Sequence, residues 1–126
     1  MKYARQINYK GRRIWFLDAA NKDGEDVPAA FEEARQVLVK EKEGGLFLID
    51  GRNMPVSVPI LNKAKEAADM AKGDSRYRVA FVGLAGMTKS MAEIHAKTRH
   101  VNARFFDTVE EAEEWLVDAA VEPQKT

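Results

Sequence analysis

Gly44-Gly45-Leu46-Phe47-Leu48-Ile49-Asp50-Gly51-Arg52-Asn53 decides the fold. Leu46 to Ile49 is an unbroken apolar run closed by Asp50, which predicts a strand covered on both faces, as inside a parallel sheet. Gly44-Gly45 ahead of it is expected to stop a helix, because glycine tolerates the left-handed conformation past a helix C-terminus. That helix is predicted over residues 27–43. Pro28 suits its first turn. Phe31, Ala34, Val37 and Leu38 recur at helical spacing, with Glu32, Glu33, Arg35 and Lys40 on the other side. Beyond the Gly51-Arg52-Asn53 loop a second helix is expected over residues 58–71. Its apolar stripe is Ile60, Leu61, Ala64, Ala67, Ala68 and Ala71, small enough to pack close to a sheet, and Gly73 ends it.

The same alternation continues in both directions. Arg78-Val79-Ala80-Phe81-Val82-Gly83-Leu84 predicts a central strand. Residues 86–98 predict a third helix with Met87, Met91 and Ile94 inward and His95 on or beside that stripe. Residues 103–106 predict a short last strand. Thr108-Val109-Glu110-Glu111 fits a capping box, in which each side chain satisfies the other residue's free backbone donor. Ala112, Trp115, Leu116 and Ala119 follow at helical spacing. Upstream, residues 3–9 and 12–17 read as strands joined at Lys10-Gly11, where glycine supplies the positive φ of a tight hairpin, and residues 18–26 read as a polar loop. The expected fold class is α/β: a single mixed, mostly parallel sheet with an N-terminal antiparallel hairpin and four helices, in the order ββαβαβαβα with right-handed crossovers. Residues 3–119 form one domain and residues 120–126 a frayed tail.

Composition narrows the chemistry. The chain has 126 residues, enough for one domain with a real core. Twenty Lys+Arg balance twenty Asp+Glu, so no bulk field draws nucleic acid or an acidic membrane surface. There is no cysteine, which excludes disulfides, thiol nucleophiles and thiolate metal sites, and the two histidines, His95 and His100, are too few for a His-rich one. No apolar run approaches the ~20 residues of a membrane span. Met1-Lys2-Tyr3-Ala4-Arg5 is not followed by the apolar core of a signal peptide. The expected location is cytoplasmic.

Tyr9-Lys10-Gly11-Arg12-Arg13-Ile14-Trp15-Phe16-Leu17-Asp18, Leu48-Ile49-Asp50-Gly51-Arg52, Val79-Ala80-Phe81-Val82-Gly83-Leu84 and Phe106-Asp107-Thr108-Val109-Glu110-Glu111-Ala112-Glu113-Glu114-Trp115-Leu116 resemble the SpoIIAA-like proteins of the STAS superfamily. The likeness covers residues 3–117. It implies a bacterial protein, successive β-α units on a mixed sheet, and a role as a non-enzymatic regulator, a transporter-associated module or a binder of small apolar ligands. STAS anti-sigma-factor antagonists carry a phosphorylatable Ser or Thr directly after the strand ending in Asp. Here Asp50 is followed by Gly51-Arg52-Asn53-Met54-Pro55-Val56, and Ser57 is the nearest hydroxyl, too far along to match.

The candidate binding residues are Asp50, Arg52, Asn53, Met54, Ser57 and Lys89. Asp50, Arg52 and Asn53 stand at the carboxyl edge of a parallel strand, where ligands of such sheets lie, although Asp50 or Asn53 in such a loop also serves to cap a backbone donor. Met54-Pro55-Val56-Ser57-Val58-Pro59-Ile60 is held extended by its prolines, so its apolar residues are placed to line a pocket or a dimer face. Gly83-Leu84-Ala85-Gly86-Met87-Thr88-Lys89-Ser90 fails the phosphate-loop pattern because Thr88, not glycine, precedes Lys89. A helix N-terminus with Lys89 still suits an anion, and glycines there also let strand and helix pack closely. The methionines and aromatics serve as core or as the lining of a greasy pocket. His95 has no sequence-visible orienting partner, so no catalytic residue, metal or cofactor is expected. A basic hairpin (Lys2, Arg5, Lys10, Arg12, Arg13) and an acidic final helix suit head-to-tail self-association or a charged partner, as well as plain solubility. The expected partners are thus another protein or a second copy of this chain, or else a small apolar or anionic ligand, and not nucleic acid.

Overall fold

The computed structural model describes residues 1–23, 25–55 and 57–118. Ala119 and the tail at 120–126 lie outside them. The elements are β1 (Ala4–Tyr9), β2 (Arg12–Asp18), α1 (Asp26–Lys40), β3 (Gly45–Asp50), α2 (Val58–Ala71), β4 (Tyr77–Val82), α3 (Gly86–Thr98), β5 (Ala103–Phe106) and α4 (Val109–Val117). The fold is α/β with the expected order. One five-stranded sheet runs β1-β2-β3-β4-β5. β1 is antiparallel to β2, and β2, β3, β4 and β5 are parallel. Lys10 and Gly11, at φ 51 and 78, make the hairpin turn, both in the left-handed region that a two-residue turn between twisted strands requires.

Alternation along the strands divides the interior into two cores. Leu17, Phe47, Ile49 and Val79 belong to one, with Phe31 and Val37 of α1 and Ile60, Ala67 and Ala71 of α2. Ile14, Phe16, Leu46, Leu48, Ala80 and Val82 belong to the other, with Ala112, Trp115 and Leu116 of α4. The unbroken apolar runs of β2, β3 and β4 are explained by this two-sided cover. Arg78, though charged, is buried in β4. Its Nη1 donates to the carbonyls of Trp115, Leu116 and Asp118 at 3.3, 3.3 and 3.0 Å, closing the C-terminal end of α4.

Four local expectations change. α1 ends at Lys40 rather than at residue 43, and Gly44 is not its stop. Gly44 has φ +104, and a Cβ there would lie 2.6 Å from Arg76 Cβ and from its carbonyl oxygen. Its glycine serves a close approach across the sheet. The capping box of α4 is half formed: Glu111 N donates to Thr108 Oγ1 at 3.2 Å, but the Glu111 carboxylate takes the Thr108 hydroxyl at 3.1 Å instead of the backbone N–H. In α3, Met87 and Ile94 are 74% and 66% exposed, whereas Met91 and His95 of the same expected stripe do face inward. Finally, some of the uneven charge pairs within the chain, Lys10 with Glu114 at 2.6 Å and Arg13 with Glu41 at 3.0 Å, which weakens the argument for head-to-tail association.

Candidate functional site

The polar loops at the carboxyl edge of the sheet interlock. Strand register sets Asp18 beside Asp50. Asp50 is buried, and Arg52 grips its carboxylate with Nε at 3.0 Å and Nη2 at 2.7 Å while Arg52 N donates at 3.3 Å. The carboxylate holds the Arg52 guanidinium above its ordinary pKa, first through the hydrogen bond and then through charge. Asn53, at φ 57, donates from Nδ2 to Asn21 Oδ1 at 2.6 Å, and Asn21 N donates to Arg52 O at 2.8 Å. The stem of Arg52 crosses Gly83, and Leu84 packs over Gly51. Asp50, Arg52 and Asn53 therefore tie the loops after β2, β3 and β4 together, and Asp50 spends its acceptors inside the loop.

The other candidates separate from this cluster. Ser57 is the N-cap of α2 and accepts from Ile60 N at 3.3 Å. Lys89, in the first turn of α3, borders a shallow surface cleft with Lys97, Arg104 and Phe106. Met54 lines a cavity of about 110 Å³ between the sheet and α1, α2 and α3.

This cavity is built from complementary small-residue faces. Ala64, Ala67, Ala68 and Ala71 of α2 line one wall. Thr88, Met91, Ala92, His95 and Ala96 of α3 line another, at the i, i+3, i+4, i+7, i+8 spacing of a single helix face. Phe47, Val79 and Phe81 form the floor, with Phe81 stacked on Phe105 at 5.0 Å. No residue of α3 is buried, so this helix lies over the cavity without sinking into it. Its ends are a turn at Gly83 and Gly86, with φ 76 and 57, and His100 at φ 55. A weak tie at the top joins Thr88 Oγ1 to the Met54 carbonyl at 3.5 Å, and an ion pair at the bottom joins Arg99 to Asp69 at 3.0 Å.

Thr88, Ala92, His95 and Ala96 escaped the candidate set. The signal was present: the alanine run of α2 has a counterpart in the small residues of α3 at matching spacing. Choosing the largest apolar side chains hid it. Among the described residues that line the cavity, His95 alone has a titratable side chain. Burial pushes its imidazole below the usual pKa, the cations of Arg99 and Lys65 add to this, and Asp69 opposes it. No group of three or more potential metal ligands occurs among the described residues. No helix of the described residues is long and apolar enough to cross a membrane. The chain matches no protein-family model, and no significantly similar protein of curated function was found.

Proposed function

We propose that this chain is a non-catalytic binding module whose ligand is a small apolar molecule held between the sheet and α2 and α3. The cavity is the observation that carries this reading. Its lining is almost wholly apolar, and an enclosed apolar cavity of about 150 Å³ takes benzene. Leaving 110 Å³ unfilled costs at most about 3 kcal/mol at the usual cost per unit volume. That is a large share of the ~5–15 kcal/mol that holds a domain together. Filling the cavity recovers it, and the small side chains of two facing helices keep the space open. The element order supports the likeness to SpoIIAA-like proteins, some of which are thought to bind apolar ligands, and a reduced, cytoplasmic setting suits a chain without cysteine. Native mass spectrometry of protein purified from its own host, followed by thermal unfolding with short alkyl and aromatic compounds, tests the reading. A ligand-free mass together with an unmoved melting temperature across that panel would refute it.

A second reading, a protein-interaction module, rests on a different observation: Val58, Met87 and Ile94 are apolar and largely exposed on α2 and α3. Light scattering at micromolar concentration and a pull-down from the host decide it, since a strict monomer with no captured partner would count against a docking face.

A further inference from the structure

The geometry points to His95 as the residue that selects the ligand's head group: the cavity takes a short apolar carboxylic acid, its chain against the alanine walls and its carboxylate against the imidazole. This deepens, and rests on, the reading of the cavity as a ligand site. Three observations carry it. First, among the described residues, the side chains with polar atoms that line the cavity are Thr88 near the top of α3, His95 two turns further along, and Trp15, whose Nε1 already donates to Glu41 at 3.1 Å. Thr88 already donates its hydroxyl to Met54 O. His95 makes no side-chain hydrogen bond among the described residues. Second, the charges near His95 are lopsided. Lys65 and Asp69 face it from α2, and Arg99 faces it from the end of α3. The sheet and α1 contribute apolar and aromatic side chains to the cavity. Asp69 is already paired with Arg99, which leaves a positive balance. Third, the volume near 110 Å³ makes room for a few carbons with α3 in place, and because α3 has no buried residue it is the wall that a chain of up to six carbons displaces.

The order of preference follows from elementary electrostatics. A carboxylate accepts a charge-assisted hydrogen bond from protonated imidazole, about twice as strong as a neutral one. An alcohol finds only the neutral bond. An amine meets Lys65 and Arg99 as like charges. Burial leaves the free imidazole more reluctant than usual to hold a proton, and a carboxylate beside it reverses that preference. Acid binding therefore takes up a proton, and affinity rises as pH falls through the interval between the raised imidazole pKa of the complex and the lowered one of the free chain.

Hexanoate, hexanol and hexylamine, titrated into the full chain by calorimetry, test this. The expected result is hexanoate tighter than hexanol by roughly tenfold, hexylamine weakest, and a hexanoate heat that changes with the ionisation heat of the buffer. His95→Gln should remove the acid preference and its pH dependence, so that acid and alcohol bind alike at every pH. A measurement on the unaltered chain stands beside the variant: the His95 ring resonances should titrate at higher pH with saturating hexanoate and not with hexanol. Equal binding of acid and alcohol, or a His95 titration unmoved by hexanoate, would overturn the head-group assignment and leave the cavity as a site. Failure of all three compounds to bind would overturn the cavity reading and this assignment together.

Discussion

At the scale of single residues, Gly83 shows how a loop residue can be fixed by a contact distant in sequence. It has φ +76, and a Cβ there would sit 2.2 Å from Arg52 Cγ, whereas Gly86, at φ +57, has nothing within 4 Å. The pair separates backbone strain from steric conflict. Gly86→Ala should lose only the left-handed penalty, about 1 kcal/mol, and Gly83→Ala about 1–3 kcal/mol because Arg52 must also leave its place. Urea unfolding of both variants, and of Gly83→Ala combined with Arg52→Ala, checks this. Measured from Arg52→Ala alone, which itself loses the ion pair to Asp50, the added Gly83→Ala should cost no more than Gly86→Ala does in the parent, and equal losses at the two glycines in the parent would contradict the packing described. Arg78 makes a second case. Its guanidinium serves three carbonyls at the end of α4 and lies 6.0 Å from the centre of the Trp115 ring. Arg78→Ala should cost about 2–4 kcal/mol by the same assay, since the donors vanish and the carbonyls stay buried.

At the scale of elements, caps and glycines made some boundaries readable and long-range contacts hid others. α2 and α3 start and stop where their sequences say, because Ser57 is a good N-cap and Gly86 marks a turn. The end of α1 was not readable from Gly44, since that glycine answers to Arg76, far along the chain. The phase of α3 was readable only in part: Met91 and His95 face inward as expected, but Thr88, Ala92 and Ala96 complete that face in place of Met87 and Ile94, because small and polar residues look like no core face. That helix should behave differently from its neighbours. With no buried residue, its amides are expected to exchange with deuterium much faster than those of α4, which holds three. An apolar ligand should slow α3 selectively, and equal protection of α3 and α4 in the free chain would contradict this picture.

α1 and α2 are joined by Glu32, which takes Arg35 at 2.6 Å and Lys63 at 3.3 Å. The hydrogen bond from Arg35, then that from Lys63, holds its carboxyl at about 2, below the ordinary 4.5. A lowered folded-state value means that the unfolded chain binds the proton more readily. The contribution to stability is therefore complete above 4.5 and disappears as pH falls towards about 2. Glu32→Gln should be less stable than the parent at neutral pH and match it near pH 2, as read by urea midpoints. A difference that persists unchanged at low pH would mean that packing, not charge, is responsible.

At the scale of the whole molecule, stability and capacity oppose each other. Ala92 lines the cavity from α3, and Ala92→Leu adds bulk where the space is. It is expected to raise the melting temperature by a few degrees, following the cavity relation, and to abolish binding of short alkyl compounds. A variant that melts higher yet binds as before would show that the ligand lies elsewhere. The layered arrangement itself was legible from the alternation of apolar runs with amphipathic stretches. The loops that Asp50, Arg52 and Asn53 stitch together were legible as a polar edge, but not as a closed network, since Asn21 and Gly83 join it from other loops.

The sequential strand order has a further consequence for how the protein is made. Because β2 to β5 follow one another in space, α1, α2 and α3 cross the same side, and the opposite side waits for α4. During synthesis every strand emerges before that cover does. A nascent chain stalled just short of Thr108 should display Ile14, Leu48 and Val82 to solvent and recruit a chaperone or clump with its neighbours, and release of the next ten or so residues should shut that window.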